Sequence, residues 1–186
     1  MKQEKAIFAG GCFWCTESAF QKVPGVIEAV SGYIGGKNPN PTYEQVCSGA
    51  TGHFEAVEVS FDPSKISYEE LLNVFWRDID PTDPNGQFAD QGPQYQTAIF
   101  YLNDEQKRVA EESKRKLDQS GLFKKPIMTQ ILKASAFYPA ESYHQDYYQK
   151  EPQHYQMYRA GSGRDGFVQE KWRGAAHICP LPKKKI

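Results

Sequence analysis

The densest grouping of reactive side chains is Gly10-Gly11-Cys12-Phe13-Trp14-Cys15-Thr16-Glu17. The apolar run Lys5 to Ala9 ahead of it reads as a short buried strand, and from Phe13 the pattern turns helical, so Cys12 falls at or just before a helix N-terminus. Free backbone N–H groups and the helix dipole favour an anion there, which lowers a cysteine pKa and raises its thiolate fraction. The paired glycines let the chain turn tightly and leave the sulfur accessible. Cys15 lies three residues on. In a regular helix the two Cβ atoms are about 5–6 Å apart, whereas a disulfide needs about 3.5–4.5 Å. A bridge therefore requires a loosened first turn, and a strained bridge is easily reduced. The pair reads as a nucleophile with its partner thiol, as a thiol–disulfide exchanger, as half a zinc site, or as two inert buried cysteines. Zinc would want a second CxxC or paired histidines, and Phe-Trp is not the usual insert of an exchanger.

A second cluster runs from Tyr43 through Cys47 to Thr51-Gly52-His53-Phe54-Glu55. Glu55 enters an apolar alternation. Pointing inward, it would be a carboxyl whose pKa desolvation raises, an acid near neutrality; pointing outward, it is an ordinary surface glutamate. Cys47 reads as a small buried residue. A third cluster, Asp80-Pro81-Thr82-Asp83-Pro84 with Phe88 to Tyr95, can present Asp90 and Tyr95 from a constrained loop, or it is turn chemistry alone. Gly161-Ser162-Gly163-Arg164-Asp165-Gly166 matches the dinucleotide fingerprint only in its glycines, since no strand precedes it and too little chain follows. His53, His144, His154 and His177 have no metal-ligand spacing, and His144 and His154 read as packing residues.

The elements that must hold these groups follow from periodicity. Strands are expected at Lys5–Ala9, Val26–Ile34, Phe54–Phe61, Thr97–Leu102 and Thr129–Lys133. Helices are expected from Phe13 to Pro24-Gly25, after the Ser67/Glu70 capping box, and from Asn103/Gln106 to about Gln119, with Gly121 as the stop. Lys37 to Gly52 reads as turns, and aromatic helical turns lie around Tyr143–Tyr148 and His154–Tyr158. The order strand–helix–strand–strand–helix–strand predicts an α+β, two-layer sandwich with a ferredoxin-like split βαβ core, a mixed sheet and long loops.

With 186 residues, the chain is expected to form one catalytic domain, residues 161–186 being a mobile Gly-rich and basic tail that ends in Lys183-Lys184-Lys185. Net charge is −1 and the pI is near 6.4, which leaves no footprint for nucleic acid or an anionic membrane. No apolar run approaches the ~18 residues of a membrane span, and the N-terminus lacks the apolar core of an export signal. Four cysteines are too few for a disulfide scaffold. The reducing cytoplasm is the expected compartment, and a monomer the expected state.

Gly-Gly-Cys-Phe-Trp, Tyr-x-x-Val-Cys, Thr-Gly-His-x-Glu-Ala-Val, Asp-Pro-Thr-Asp and Asp-x-Gly-x-Gln-Tyr occur in this order between about Ile7 and Trp172. Jointly they resemble the A-type peptide-methionine sulfoxide reductases, which act on the S epimer of the sulfoxide. The resemblance implies that Cys12 is the nucleophile, that Glu55 points inward as the acid, and that Tyr43 and Tyr95 donate hydroxyls to the sulfoxide oxygen. It makes Asp90 the pocket aspartate supporting that network, and Phe13 and Trp14 the apolar wall for the methyl on sulfur. Cys12 would end as a sulfenic acid that a second thiol converts to a disulfide, to be reduced by thioredoxin, or by dithiothreitol in vitro. Neither metal nor organic cofactor is implied; the substrates would be oxidised proteins or peptides and free methionine sulfoxide, and the partner thioredoxin.

Two departures matter. Many relatives have Gly where this chain has Cys15 and carry their second thiol in a C-terminal tail. Here Cys15 resembles a local resolving thiol, with Cys179 of the tail as the runner-up. Phe54 replaces a more frequent Ala, which brings the shape of the pocket into question. A CxxC exchanger remains the alternative.

Overall fold

In the computed structural model, which describes residues 3–182, the first strand, β1 (Glu4–Gly10), is apolar on both faces. Ala6 and Phe8 join the main core, while Ile7 and Ala9 join a smaller cluster on the opposite face. Helix α1 (Phe13–Gln21) leads back to β2 (Val26–Ile34). A short helix, α2 (Tyr43–Cys47), interrupts the segment expected as turns: Thr42 and Gln45 cap it reciprocally, a box hidden among turn-forming residues. Strand β3 (Phe54–Phe61) and helix α3 (Tyr68–Asp78) follow, the latter opened by the expected Ser67/Glu70 box.

The long loop after α3 contains a hairpin, β4 (Gly86–Gln87) and β5 (Asp90–Gln91), and a helical turn at Pro93–Tyr95. Strand β6 (Thr97–Tyr101), helix α4 (Asp104–Gln119), strand β7 (Gln130–Lys133) and the two-residue strand β8 (Tyr138–Pro139) precede helices α5 (Tyr147–Lys150), α6 (Pro152–Gly161) and α7 (Arg164–Trp172).

The six-stranded sheet has the order β7-β6-β1-β3-β2-β8. Its inner four strands pair antiparallel in the ferredoxin-like arrangement, and only β6–β7 is parallel, so the sheet is mixed as expected. One face carries α1 and α3, where Phe8 stacks between Phe20 (4.8 Å) and Phe75 (5.2 Å). Trp76 is fully buried, and its indole N–H donates to Ser113 Oγ at 2.8 Å, which satisfies the one polar atom that burial would otherwise leave unpaired.

The end of the chain departs from expectation. Residues from 161 to 182 are not a loose tail: α6 and α7 meet at Gly163, whose φ of +88° suits glycine. Asn73 then donates to Pro180 O and Arg77 to Cys179 O, which fastens the segment to α3. Lys183-Lys184-Lys185 lie outside the described residues. This packing also buries α1 on more than one face. Phe13, Cys15, Thr16, Glu17, Ser18 and Phe20 are all buried, because aromatic side chains of α5 and α6 close over its outer side.

Candidate active site

The turn from β1 into α1 admits only glycine at two places. A Cβ on Gly10 would meet Thr16 Oγ1 at 2.6 Å, and Gly11, at φ +81°, would drive one into Gln87 at 2.5 Å. Cys12 follows as the N-cap, outside helical geometry at φ −50°, ψ 119°. Its carbonyl accepts from the N–H groups of both Cys15 and Thr16, at 3.2 and 3.4 Å. The first turn is thus tightened and the cap residue splayed, and the two thiols share a hydrogen bond. Both cysteines are buried and unbridged.

Electrostatics correct one expectation. Cys12 sits at the helix N-terminus, yet burial pushes its thiol well above the ordinary value, and hydrogen bonding to Cys15 with the nearby Cys15 and Glu55 charges pushes it further. Desolvation is the largest cause acting on it. Cys15 goes the other way, lowered to about 7 by the hydrogen bond from Cys12 and by the Arg164 and Arg159 guanidiniums, against burial and Asp78.

Glu55 points inward. On β3 it shares a face with Val57 and Val59, the face covered by α1, and only 2% of it is exposed. Its Oε2 accepts the N–H of Phe13 at 3.0 Å. Burial lifts its pKa to about 8 against that hydrogen bond, with the Asp90 charge adding to the rise. The carboxyl therefore holds its proton at neutral pH. Phe54, one residue earlier, faces the opposite side of the sheet and packs edge-on against Phe100 at 5.5 Å. Period-two alternation removes it from the pocket, and the concern that it reshapes the site falls away.

Cys12, Phe13, Trp14, Tyr43, Glu55, Asp90 and Tyr95 line one pocket. Tyr43 is fixed by α2, where its N–H donates to Glu141 Oε1 at 2.9 Å while Tyr33 holds Glu141 Oε2 at 2.8 Å. Burial raises the phenols of Tyr43 and Tyr95, so both stay protonated donors. Trp14 stacks on Tyr147 at 3.8 Å and donates its indole N–H to His144 Nδ1 at 3.1 Å. Burial lowers the pKa of His144, in keeping with a neutral ring that accepts at Nδ1. Its contacts with Phe13 and Tyr43 are those of a packing residue.

Sequence reasoning missed three residues. Tyr158 of α6 lines the pocket and donates its hydroxyl to Asp90 Oδ2; the aromatic turn His154–Tyr158 was the only signal for it. Asp78 and Arg164 form a buried ion pair behind the turn; Arg164 belongs to the glycine-rich stretch, which is a break between helices rather than a phosphate loop. Cys47 also needs correction: it is half-buried, with its sulfur 4.0 Å from the Tyr95 hydroxyl at the edge of the site. Cys179 is 3% exposed, and burial raises its thiol to about 11. Among the described residues, no three His, Cys, Asp or Glu side chains converge as metal ligands, and no helix is long and apolar enough to cross a membrane.

A family model described as peptide methionine sulfoxide reductase matches residues 4–176. The peptide methionine sulfoxide reductase MsrA of Bacillus subtilis is 59% identical over 171 residues, 92% of this chain and 97% of that protein. Methionine sulfoxide reductase A of Corynebacterium diphtheriae superposes with a TM-score of 0.72 at 36% identity, covering 81% of this chain and 76% of that one. Mxr1 of Saccharomyces cerevisiae in its reduced form also gives 0.72, at 34% identity and 82% and 87% coverage; that protein is also known in complex with Trx2.

Proposed function

This chain belongs to the peptide methionine sulfoxide reductase family, and on that premise we propose that Cys12 attacks the S epimer of methionine sulfoxide, with Glu55 as the acid and Cys15 as the resolving thiol. The family makes the chain an oxidoreductase that reduces peptide methionine sulfoxide. The observation that carries the residue-level reading is one pocket bringing together a thiol, a carboxyl protonated at neutral pH and the phenols of Tyr43 and Tyr95.

The sulfoxide oxygen is a poor leaving group until it is protonated. Glu55 gives it a proton and takes the one that Cys12 loses. The sulfur–oxygen bond of the substrate breaks and the oxygen ends on Cys12 as a sulfenic acid. The substrate sulfur gains two electrons, and Cys12 loses two. Tyr43 and Tyr95 donate to the same oxygen as charge develops, the setting in which preorganised donors act most strongly. Phe13 and Trp14 hold the substrate methyl, aided by sulfur–aromatic contact worth about 0.3–1.5 kcal/mol. Asp90, with Tyr158 on it, closes the remaining wall.

Cys15 then displaces hydroxide from the sulfenic sulfur, forming a disulfide and water. An external dithiol supplies the two electrons and two protons that restore the pair. Thioredoxin is the reductant of this scheme, and the Mxr1–Trx2 complex is a precedent in a relative. No metal or organic cofactor takes part.

The test uses each sulfoxide epimer with dithiothreitol and wild type or Cys12→Ser. The reading expects S-epimer reduction that Cys12→Ser abolishes. Reduction of neither epimer by wild type, with disulfide exchange intact, would put the exchanger reading in its place.

A further inference from the structure

Behind the Cys12–Cys15 turn lies a charge cluster that the reaction above does not use. Arg164, 1% exposed, donates from Nη1 to Asp78 O at 2.6 Å and approaches Asp78 Oδ2 at 3.3 Å. Its Nη2 donates to Gly10 O at 3.0 Å, and its guanidinium lies over the Phe88 ring. Arg159 meets Asp78 Oδ1 at 2.8 Å and Asp165 Oδ1 at 2.7 Å, and donates to the Tyr155 hydroxyl at 3.4 Å. Tyr155 itself packs in one cluster with Cys12 and Cys15.

Two guanidiniums thus share one buried carboxylate. The second carboxylate, Asp165, is 44% exposed and partly screened by water. Burying two cations on one anion is costly unless further negative charge completes the set. Tyr155, which Arg159 reaches, packs in one cluster with Cys15, and Cys15 is the thiol on which both guanidiniums act. Resting on the reading of Cys15 as the resolving thiol, we propose that Arg159 and Arg164, oriented by Asp78, are positioning residues that stabilise the Cys15 thiolate for closure of the Cys12–Cys15 disulfide.

The balance of surrounding groups is consistent. The positive charges around Cys15 are Arg159 and Arg164, with Lys22 from its own helix; the Asp78 carboxylate opposes them, while the Glu55 carboxyl and the Tyr155 phenol, both raised in pKa, stand protonated beside it. The thiol is lowered to about 7, first by Cys12 and then by the two guanidiniums against burial. In the step itself the Cys15 sulfur forms the S–S bond as the S–O bond of the sulfenic acid breaks. Hydroxide leaves and takes up a proton as water, and no further oxidant is consumed. Only the thiolate attacks, so the closing rate follows the thiolate fraction.

The test has two arms on the full chain. In a Cys12→Ser background, ultraviolet thiolate absorbance against pH is recorded with and without Cys15, so that the difference isolates its titration. Arg159→Gln and Arg164→Met should move that midpoint up by about one pH unit or more, while Arg159→Lys and Arg164→Lys should restore most of it. In the second arm, with Cys12 present, single turnovers compare product release with loss of the second thiol. Arg159→Gln should slow closure about tenfold more than release near neutrality, the deficit disappearing at alkaline pH. Arg159 carries the test if Arg164→Met fails to fold, since its side chain is 18% exposed. A midpoint that stays put in folded Arg159→Gln overturns the inference and leaves the role of Cys15 intact. A Cys15→Ser protein that still closes an internal disulfide overturns that role, and the inference with it.

Discussion

The Oε2 of Glu55 accepts the backbone N–H of Phe13 at 3.0 Å, tying the middle of the sheet to the first turn after the nucleophile. One contact orients the acid and fixes the turn that carries Cys12. An amide at this position keeps an oxygen for the Phe13 N–H but cannot give up a proton as an acid. Glu55→Gln should therefore fold normally and lose about 10²–10⁴-fold in the chemical step. In wild type, kcat/KM should fall as pH rises through about 8, where Glu55 ionises. An unchanged rate in Glu55→Gln would remove Glu55 from its role.

The same carboxyl sets a pH dependence of stability. Burial raises Glu55 to about 8 and Glu17 to about 7, whereas unfolded glutamates titrate near 4.3. The native chain binds more protons than the unfolded chain across that window, so these groups make stability fall as pH rises through it. Each pH unit by which one such group is raised corresponds to about 1.4 kcal/mol. Denaturant melts from acid to alkaline pH should show a shallower decline in Glu55→Gln, with the part due to Glu17 remaining. Identical slopes would contradict the raised pKa.

Tyr43 and Tyr95 reach the pocket from different elements, a helix start and a helical turn after the β4–β5 hairpin. If both donate to the sulfoxide oxygen, either can partly cover for the other. Tyr43→Phe and Tyr95→Phe should each lose less than the double variant, which should lose about 10²–10³-fold in kcat. Strict additivity of the single losses would mean that the two hydroxyls do not share the oxygen.

Tyr158 and Asp90 form a hydrogen-bonded pair that lines the same pocket as Glu55. Removing either partner strands the other, so Tyr158→Phe, Asp90→Asn and their combination should be non-additive by about 0.5–3 kcal/mol in kcat/KM. Independent effects would separate Tyr158 from the site.

Cys179 is buried against α3 with its thiol raised to about 11. Both features oppose a place in the relay. Cys179→Ser should recycle with thioredoxin at the wild-type rate, and a loss of recycling would restore the C-terminal thiol as the partner of Cys12.

What was legible in the sequence follows a physical rule. The strands could be read because period-two alternation is local, and Cys12 because Gly10-Gly11 marks where a strand must turn; alternation alone left Glu55 open to either face. The family resemblance then chose between readings that local pattern left open. Tyr158, Asp78 and Arg164 stayed hidden because their meaning lies in contacts between residues far apart in the chain, such as Arg164 with Gly10. The docked C-terminus was misread for a related reason: Gly161 to Gly166 is rich in a helix breaker, yet Trp172 and Cys179 bury against α3 and make the segment fold. The expected lowering of the Cys12 pKa is reversed by burial, which no local pattern reports and which is the largest cause acting on it.

The most direct test of the account is to map the disulfide after one turnover. Wild type given one equivalent of an S-sulfoxide peptide, without reductant, should lose two thiols and yield a Cys12–Cys15 bridge by peptide mass mapping; Cys15→Ser should release one methionine and stop at a Cys12 sulfenic acid. A bridge from Cys12 to Cys179 or Cys47, or full thioredoxin-dependent cycling by Cys15→Ser, would contradict it.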